Sequence, residues 1–217
     1  MNRTKQHDDT PVECGTRMVK KRRQILNGAR EVFLKEGFEG ASVDDISNAA
    51  NVSKATLYNH FPDKRLMFKA VIEEECDKQA GHMFALPQNP EGVEATLLEA
   101  AQGFVNFLTT PFAHNIFRIC VGEADRFPEL GHDFYRTGPA LLQDHLVKFF
   151  EDCEPHNVLS IEDPVMAADQ FAELCKAGLF ARAVFGVQTK FTKKEKEKVA
   201  REAIATFMAR YSKQAEV

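Results

Sequence analysis

The sequence predicts an all-α protein of about nine helices, with a three-helix N-terminal unit containing a helix-turn-helix and a larger helical body behind it. Three observations carry that expectation. Apolar residues recur three and four apart through most of the 217 residues. Patterned segments open on Ser, Thr, Asp or Pro, and several close on Gly, as helix ends do. Runs of alternating Val, Ile and Thr joined by hairpin turns do not occur, so strands have nowhere to go.

The elements follow in chain order. Residues 1–16 are polar and unpatterned, with Pro11 and Gly15 inside them, and predict a disordered arm. A basic run from Arg17 to Arg23 leads into a first helix. There Ile25, Leu26, Ala29, Val32 and Phe33 share one face, and Gly37 stands where a helix-closing glycine belongs. Ser42, with Asp45 three residues on, is a capping-box variant opening a short helix that carries Val43, Ile46, Ala49 and Ala50. Asn51 interrupts it, asparagine being the non-glycine residue most at ease with positive φ. Ser53 caps a second short helix, Lys54 to His60. Pro62 and Asp63 then stop the chain and open a helix from Lys64 to about Gly81.

Pro87 to Gly92 reads as a linker. Helices are expected from about Val93 to Leu108, Pro111 to Asp125, Pro128 to Asp152, Pro164 to Phe185 and Lys193 to Tyr211. Asp163-Pro164 supplies a cap with proline in the first turn, and Thr192 with Glu195 forms a capping box. The domains expected are therefore 17–80, carrying the helix-turn-helix, and 81–217.

Composition excludes several classes. With 44% hydrophobic and 28% charged residues the chain is globular rather than disordered. No stretch approaches the roughly 18 apolar residues of a membrane span, and the polar start lacks a signal-peptide core, so a cytoplasmic protein is expected. Five cysteines without a Cys-x-x-Cys pair, and seven histidines without a ligand-spaced cluster, give no disulfide framework and no metal site. No cofactor is expected. No phosphate-binding glycine loop, nucleophile elbow or paired acid and base stands out, so an enzyme is not expected. The net charge of −4 hides an asymmetry: residues 1–65 hold 12 Lys/Arg against 9 Asp/Glu, and residues 66–217 hold 16 against 23. A basic end on an acidic body suits a part that meets a polyanion, although charge alone fits chance variation equally well.

The motifs decide. Two short helices joined by a three-residue turn describe a helix-turn-helix, with Val43, Ile46, Ala49, Val52 and Leu57 placed to pack inward. Lys54, Thr56, Tyr58, Asn59 and His60 are left toward solvent, where a recognition helix meets a major groove. The segment Arg22 to Phe68 resembles the N-terminal domain of TetR/AcrR-type transcriptional regulators. It has the Ile-Leu start, Ala-x-x-x-Phe, the Gly-Phe connection, Val-x-x-Ile, the Val-Ser turn, Thr-Leu-Tyr-x-His-Phe, and Lys64 with Leu66–Phe68. Asn51 departs from the glycine usual there. The resemblance implies phosphate contacts for Ser42, Val43, Tyr58, His60 and Lys64, and base contacts for Lys54, Ala55, Thr56 and Asn59. It also implies a double-stranded DNA operator, a homodimer and a small-molecule effector. Arg17 to Arg23 stays open between a DNA-reaching arm and a solvated tail.

In the body, residues 117–142 resemble the C-terminal domain of the AefR-like branch, through Glu-Ala, Arg-Phe-Pro-Glu-Leu and Phe-Tyr…Gly-Pro-Ala. The stretch Pro164 to Phe185 is apolar nearly all round and rich in small residues, and the last helix carries a second stripe. A dimer seam is expected through Phe171, Leu174, Gly178, Ile204, Phe207 and Tyr211. Eighteen phenylalanines and no tryptophan give an aromatic interior. The resemblance implies that Phe104, Phe107, Phe117 and Phe134 lie in pocket-lining segments, and with Cys120 beside them they are the candidate pocket for a hydrophobic or amphipathic effector. Plain core packing is the competing reading for each. Cys120 also raises a redox-switched regulator as the alternative, since Arg118 lies on the same helix. The expected function is a ligand-responsive transcriptional regulator of the repressor type.

Overall fold

The computed structural model describes residues 11–83, 92–154 and 158–213, leaving aside the side chains of 11–17 and 79–83. The first ten residues of the expected arm, linker residues 87–91 and the side chains of Cys14 and Arg17 therefore lie outside the described residues. Eleven helices are present among them: α1 (Pro11–Gly40), α2 (Val43–Ala49), α3 (Lys54–His60), α4 (Lys64–Met83), α5 (Val93–Leu108), α6 (Pro111–Gly122), α7 (Pro128–Thr137), α8 (Pro139–Cys153), α9 (Pro164–Lys176), α10 (Phe180–Val184) and α11 (Lys193–Tyr211). The protein is all-α, with one isolated antiparallel bridge between Leu159 and Ser212 among the described residues.

Four boundaries differ from expectation: α6 ends at Gly122 rather than Asp125, and the other three have a local reason. Helix α1 starts at Pro11, inside the expected arm, because proline fits the first turn of a helix, where its missing N–H is not needed. The Pro128–Asp152 helix is two helices, since Pro139 disfavours helical backbone at Gly138. The Pro164–Phe185 helix breaks at Ala177 (ψ 124°) and Gly178 (φ 69°), a conformation that glycine adopts without strain.

The chain forms two compact units, Met1–Val71 and Ile72–Val217, so the division falls within α4 rather than at its end near residue 80. The reason is what the second half of α4 faces: Ile72 and Cys76 line a cavity of the second unit.

In the first unit, Ile25, Leu26, Phe33, Ile46, Leu57, Met67 and Phe68 are almost fully buried. Phe68 meets Phe33 and Phe38 edge-on at 5.1 and 5.3 Å between ring centres, an arrangement aromatic rings prefer. Gly37 (φ 74°) kinks α1 so that Phe38 turns back into this cluster.

In the second unit, α11 packs on α5 and α9, and α8 packs on α9. The core gathers around Phe207, whose ring stacks on Phe150 at 5.5 Å, meets Phe171 edge-on at 5.8 Å and lies 4.7 Å from Tyr211. The Tyr211 hydroxyl donates to Gln170 Oε1 at 2.6 Å. Four of the six residues of the expected dimer seam are covered by their own chain. Phe171, Ile204, Phe207 and Tyr211 are buried within one subunit, and Leu174 packs against the same core. Gly178 is exposed but forms the break after α9. Helical periodicity reports which face is covered and is silent on whether the cover comes from the same chain.

Candidate nucleic-acid interface and internal cavity

The helix-turn-helix is built by three local devices. Ser42 caps α2 by accepting from Asp45 N, and Ser53 caps α3 by accepting from Thr56 N. Asn51 takes φ 49° in the turn between them, as its residue type allows. The turn is then tied to α1. Gln24 Nε2 donates to the Ala50 carbonyl at 2.6 Å, and Gly28 lets the Ala50 backbone approach so closely that a Cβ there would sit 2.5 Å from Ala50 N. Neither Gln24 nor Gly28 is distinctive in the sequence, because the partner lies more than twenty residues away.

The side chains named from sequence fall into three groups. Lys54, Ala55, Tyr58 and Asn59 are exposed on α3, with Thr56 and His60 half-buried beside them. Lys54 is held by Asp44 of α2 at 2.5 Å, and Thr56 Oγ1 lies 2.8 Å from Ser53 Oγ within the cap. Ser42 and Val43 stand at the start of α2, next to the exposed carboxylates Asp44 and Asp45. Those carboxylates favour the positive helix end and compete with any phosphate for it. Lys64, expected at a phosphate, is half-buried and anchored locally. Its ammonium donates to the carbonyls of Glu39 (3.2 Å) and Ala41 (3.0 Å) and lies 4.7 Å from the centre of the Phe38 ring. It closes the carbonyl end of α1, where a cation is favoured. On α1, Lys20, Arg22 and Arg23 are exposed.

The second unit contains a cavity of about 670 Å³, within the range of about 300–1,000 Å³ that drug-sized ligands occupy. All five residues proposed from sequence, Phe104, Phe107, Phe117, Cys120 and Phe134, line it. Phe117 of α6 is the hub of its aromatic wall, 6.2 Å from the Phe134 ring of α7 and 5.1 Å from the Phe180 ring of α10. Sequence reasoning missed Phe112, Leu142, Phe180 and the polar residues Gln143, Asp169, Glu173 and Lys176, which also line it. The polar set pairs internally. Gln143 Nε2 donates to Asp169 Oδ1 at 2.6 Å, and Lys176 Nζ to Glu173 Oε1 at 2.6 Å. The first of these contacts joins α8 to α9 and the second lies within α9, and periodicity does not reveal the joining of the two helices.

Burial pushes the Cys120 thiol up to about 12 and the half-buried Cys76 thiol up to about 11. Thiols so raised are almost wholly protonated near neutrality and react slowly with oxidants, which argues against Cys120 as a redox sensor. Among the described residues no group of His, Cys, Asp and Glu could hold a metal ion, and no helix is long and apolar enough to cross a membrane.

Comparison with known proteins agrees with this layout. Residues 25–71 match the family "Bacterial regulatory proteins, tetR family". Residues 95–213, more than half of the chain, match "AefR-like transcriptional repressor, C-terminal domain". The chain belongs to the TetR family of transcriptional regulators. Members of this family are DNA-binding regulators rather than enzymes.

Among solved structures, the TetR-family chain resembles the flavonoid-responsive regulator FrrA, with 30% identity, a TM-score of 0.76, and coverage of 91% of this chain and 100% of that one. It is 36% identical over 69 residues to the transcriptional repressor AcnR of Corynebacterium efficiens, covering 32% of this chain and 37% of AcnR. It is 31% identical over 88 residues to the transcriptional activator FasR of Mycolicibacterium smegmatis, covering 41% of this chain and 40% of FasR. The match thus spans well under half the length of either curated relative.

Proposed function

We propose that this TetR-family regulator is a ligand-responsive repressor that binds a palindromic operator as a homodimer and is released by a small hydrophobic or amphipathic effector. One observation carries the reading: a chain with an exposed recognition helix also holds a ligand-sized cavity walled by phenylalanine. Lys54, Ala55 and Asn59 are the residues proposed to meet bases, with Thr56 offering its methyl group. Tyr58 and His60 are proposed to hold phosphates, with Ser42 and Val43 behind the acidic first turn of α2. The flavonoid response of FrrA supports an aromatic effector, and the repressor AcnR supports the sign. For the homodimer, exposed Val165 and Met166 on α9 and exposed Ala205 and Ala209 on α11 offer apolar surface that the core does not cover.

The test is selection of duplexes from a random pool by the full chain. An inverted repeat is expected, with half-site centres about 34–36 Å apart or a multiple of that spacing. Recovery of single, unrepeated sites would contradict the homodimeric reading.

A further inference from the structure

The cavity lining is of two chemical kinds. Its buried part, including Phe104, Leu108, Phe112, Ile116 and Leu142, is apolar. Its three charged lining residues, Asp169, Glu173 and Lys176, all lie on α9 at spacings of four and three, so they share one helix face. Asp169 and Glu173 are exposed and form the wet part together with half-buried Gln143.

The bookkeeping of donors and acceptors in this part selects a ligand class. The Lys176 ammonium is already bound to Glu173, and the Gln143 amide to Asp169. Thr137, also in the lining, donates its hydroxyl to the Asp133 carbonyl at 2.7 Å. Lys176 keeps two N–H donors and Gln143 one, and the acceptors outnumber them: the second oxygens of Asp169 and Glu173, the Gln143 carbonyl oxygen and the Thr137 lone pairs. A carboxylate or phosphate on the ligand would face two carboxylates against one ammonium, which already lies 2.6 Å from Glu173. A cationic ligand could pair with Asp169, whose partner is a neutral amide, but it would carry a dehydration cost on entering a largely apolar chamber that an uncharged group does not. Hydroxyl groups meet neither obstacle, because each needs only a free lone pair. Elsewhere in the lining, rings set edge-on around Phe117 extend naturally to a further flat ring.

We infer that the cavity takes an uncharged aromatic compound that carries hydroxyl donors, with its rings against Phe117 and its hydroxyls toward Asp169, Glu173 and Gln143. This rests on the effector-released reading above and deepens it, naming the effector's chemistry and the face that selects it.

The test uses three matched probes on the full-length protein: a trihydroxyflavone, unsubstituted flavone and a flavone carboxylate. Binding is read by calorimetry without DNA. The trihydroxy compound is expected to bind at least about 10-fold more tightly than flavone, from one or two hydrogen bonds to charged acceptors. The carboxylate should bind more weakly than flavone. Asp169→Leu, an exposed position whose folding is checked by thermal melting, should erase about 10-fold of the trihydroxyflavone affinity and leave flavone binding unchanged. Equal binding of all three probes overturns the inference, as does preference for the carboxylate, an unaltered Asp169→Leu profile, or binding of none. The effector reading fails separately, if the trihydroxyflavone binds and operator affinity does not change.

Discussion

Replacing Gly28 by alanine sets two effects of opposite sign against each other in α1. Alanine in a helix interior is favoured over glycine by about 0.5–1 kcal/mol, so on propensity the variant gains stability. Packing says the reverse. The added Cβ would sit 2.5 Å from Ala50 N and 2.8 Å from both Ala50 Cα and Cβ, so it meets backbone, which cannot swing aside as a side-chain tip would. Overpacking of this kind costs about 1–3 kcal/mol. Moving Ala50 also strains the Gln24 bond to its carbonyl, which is worth about 1 kcal/mol. The clash wins, with a net loss of about 1–3 kcal/mol in the first unit. Ala50 is the C-cap of α2, so the turn that sets the recognition helix shifts and operator affinity falls as well. Gly131, inside α7 with open space where a Cβ would go, is the control, and Gly131→Ala should hold or raise stability. Denaturant unfolding of the full chain, with amide exchange followed in α1–α3 and in α7, measures both. A Gly28→Ala protein as stable as the parent in α1–α3 would refute the close-approach argument.

Three further outcomes are expected. Lys64→Met should lower the stability of the first unit by about 1–2 kcal/mol, seen in the denaturant midpoint, because the Glu39 and Ala41 carbonyls lose their donor. His114 is buried, neither ring nitrogen has a hydrogen-bond partner among the described residues, and burial with nearby Arg118 holds its pKa below the usual value of 6.5. Its protonation therefore favours the unfolded chain: stability is full above about pH 6.5 and is lost as pH falls, and His114→Leu should flatten that dependence in melts from pH 7.5 to 5. Phe207→Glu should unfold the second unit outright, seen by circular dichroism, because the carboxylate would be buried among Phe150, Phe171 and Tyr211. A folded monomer from that variant would restore Phe207 to a dimer seam.

How far the sequence reaches depends on the range of the interaction. Caps and turns are local, so Ser42, Asn51, Ser53, Asp163 and Thr192 reveal their roles within four residues. The division at Gly138-Pro139 was equally local, but a strong apolar pattern on both sides masked it. Long-range pairings were closed to such reading. Gln24 with Ala50, Lys64 with Ala41, and Gln143 with Asp169 join residues 23–26 positions apart. The Phe171 and Phe207 stripes were legible as buried faces, whereas their mutual packing inside one subunit was not. Five cavity residues were placed through family resemblance, which carries three-dimensional information that periodicity lacks. The charged residues of α9 had no such guide, because a solvated helix face has the same pattern.

If occupancy of the cavity governs DNA binding, as proposed, a cavity ligand releases the operator. Fluorescence anisotropy of a labelled operator, recovered by selection and saturated with the full chain, is followed while trihydroxyflavone is added to saturation. A two-state regulator with typical coupling should lose operator affinity by about 5–150-fold, and Phe117→Ala should shift the release to higher ligand concentration while leaving ligand-free binding nearly intact. Ligand bound by calorimetry with operator affinity unchanged would contradict the account.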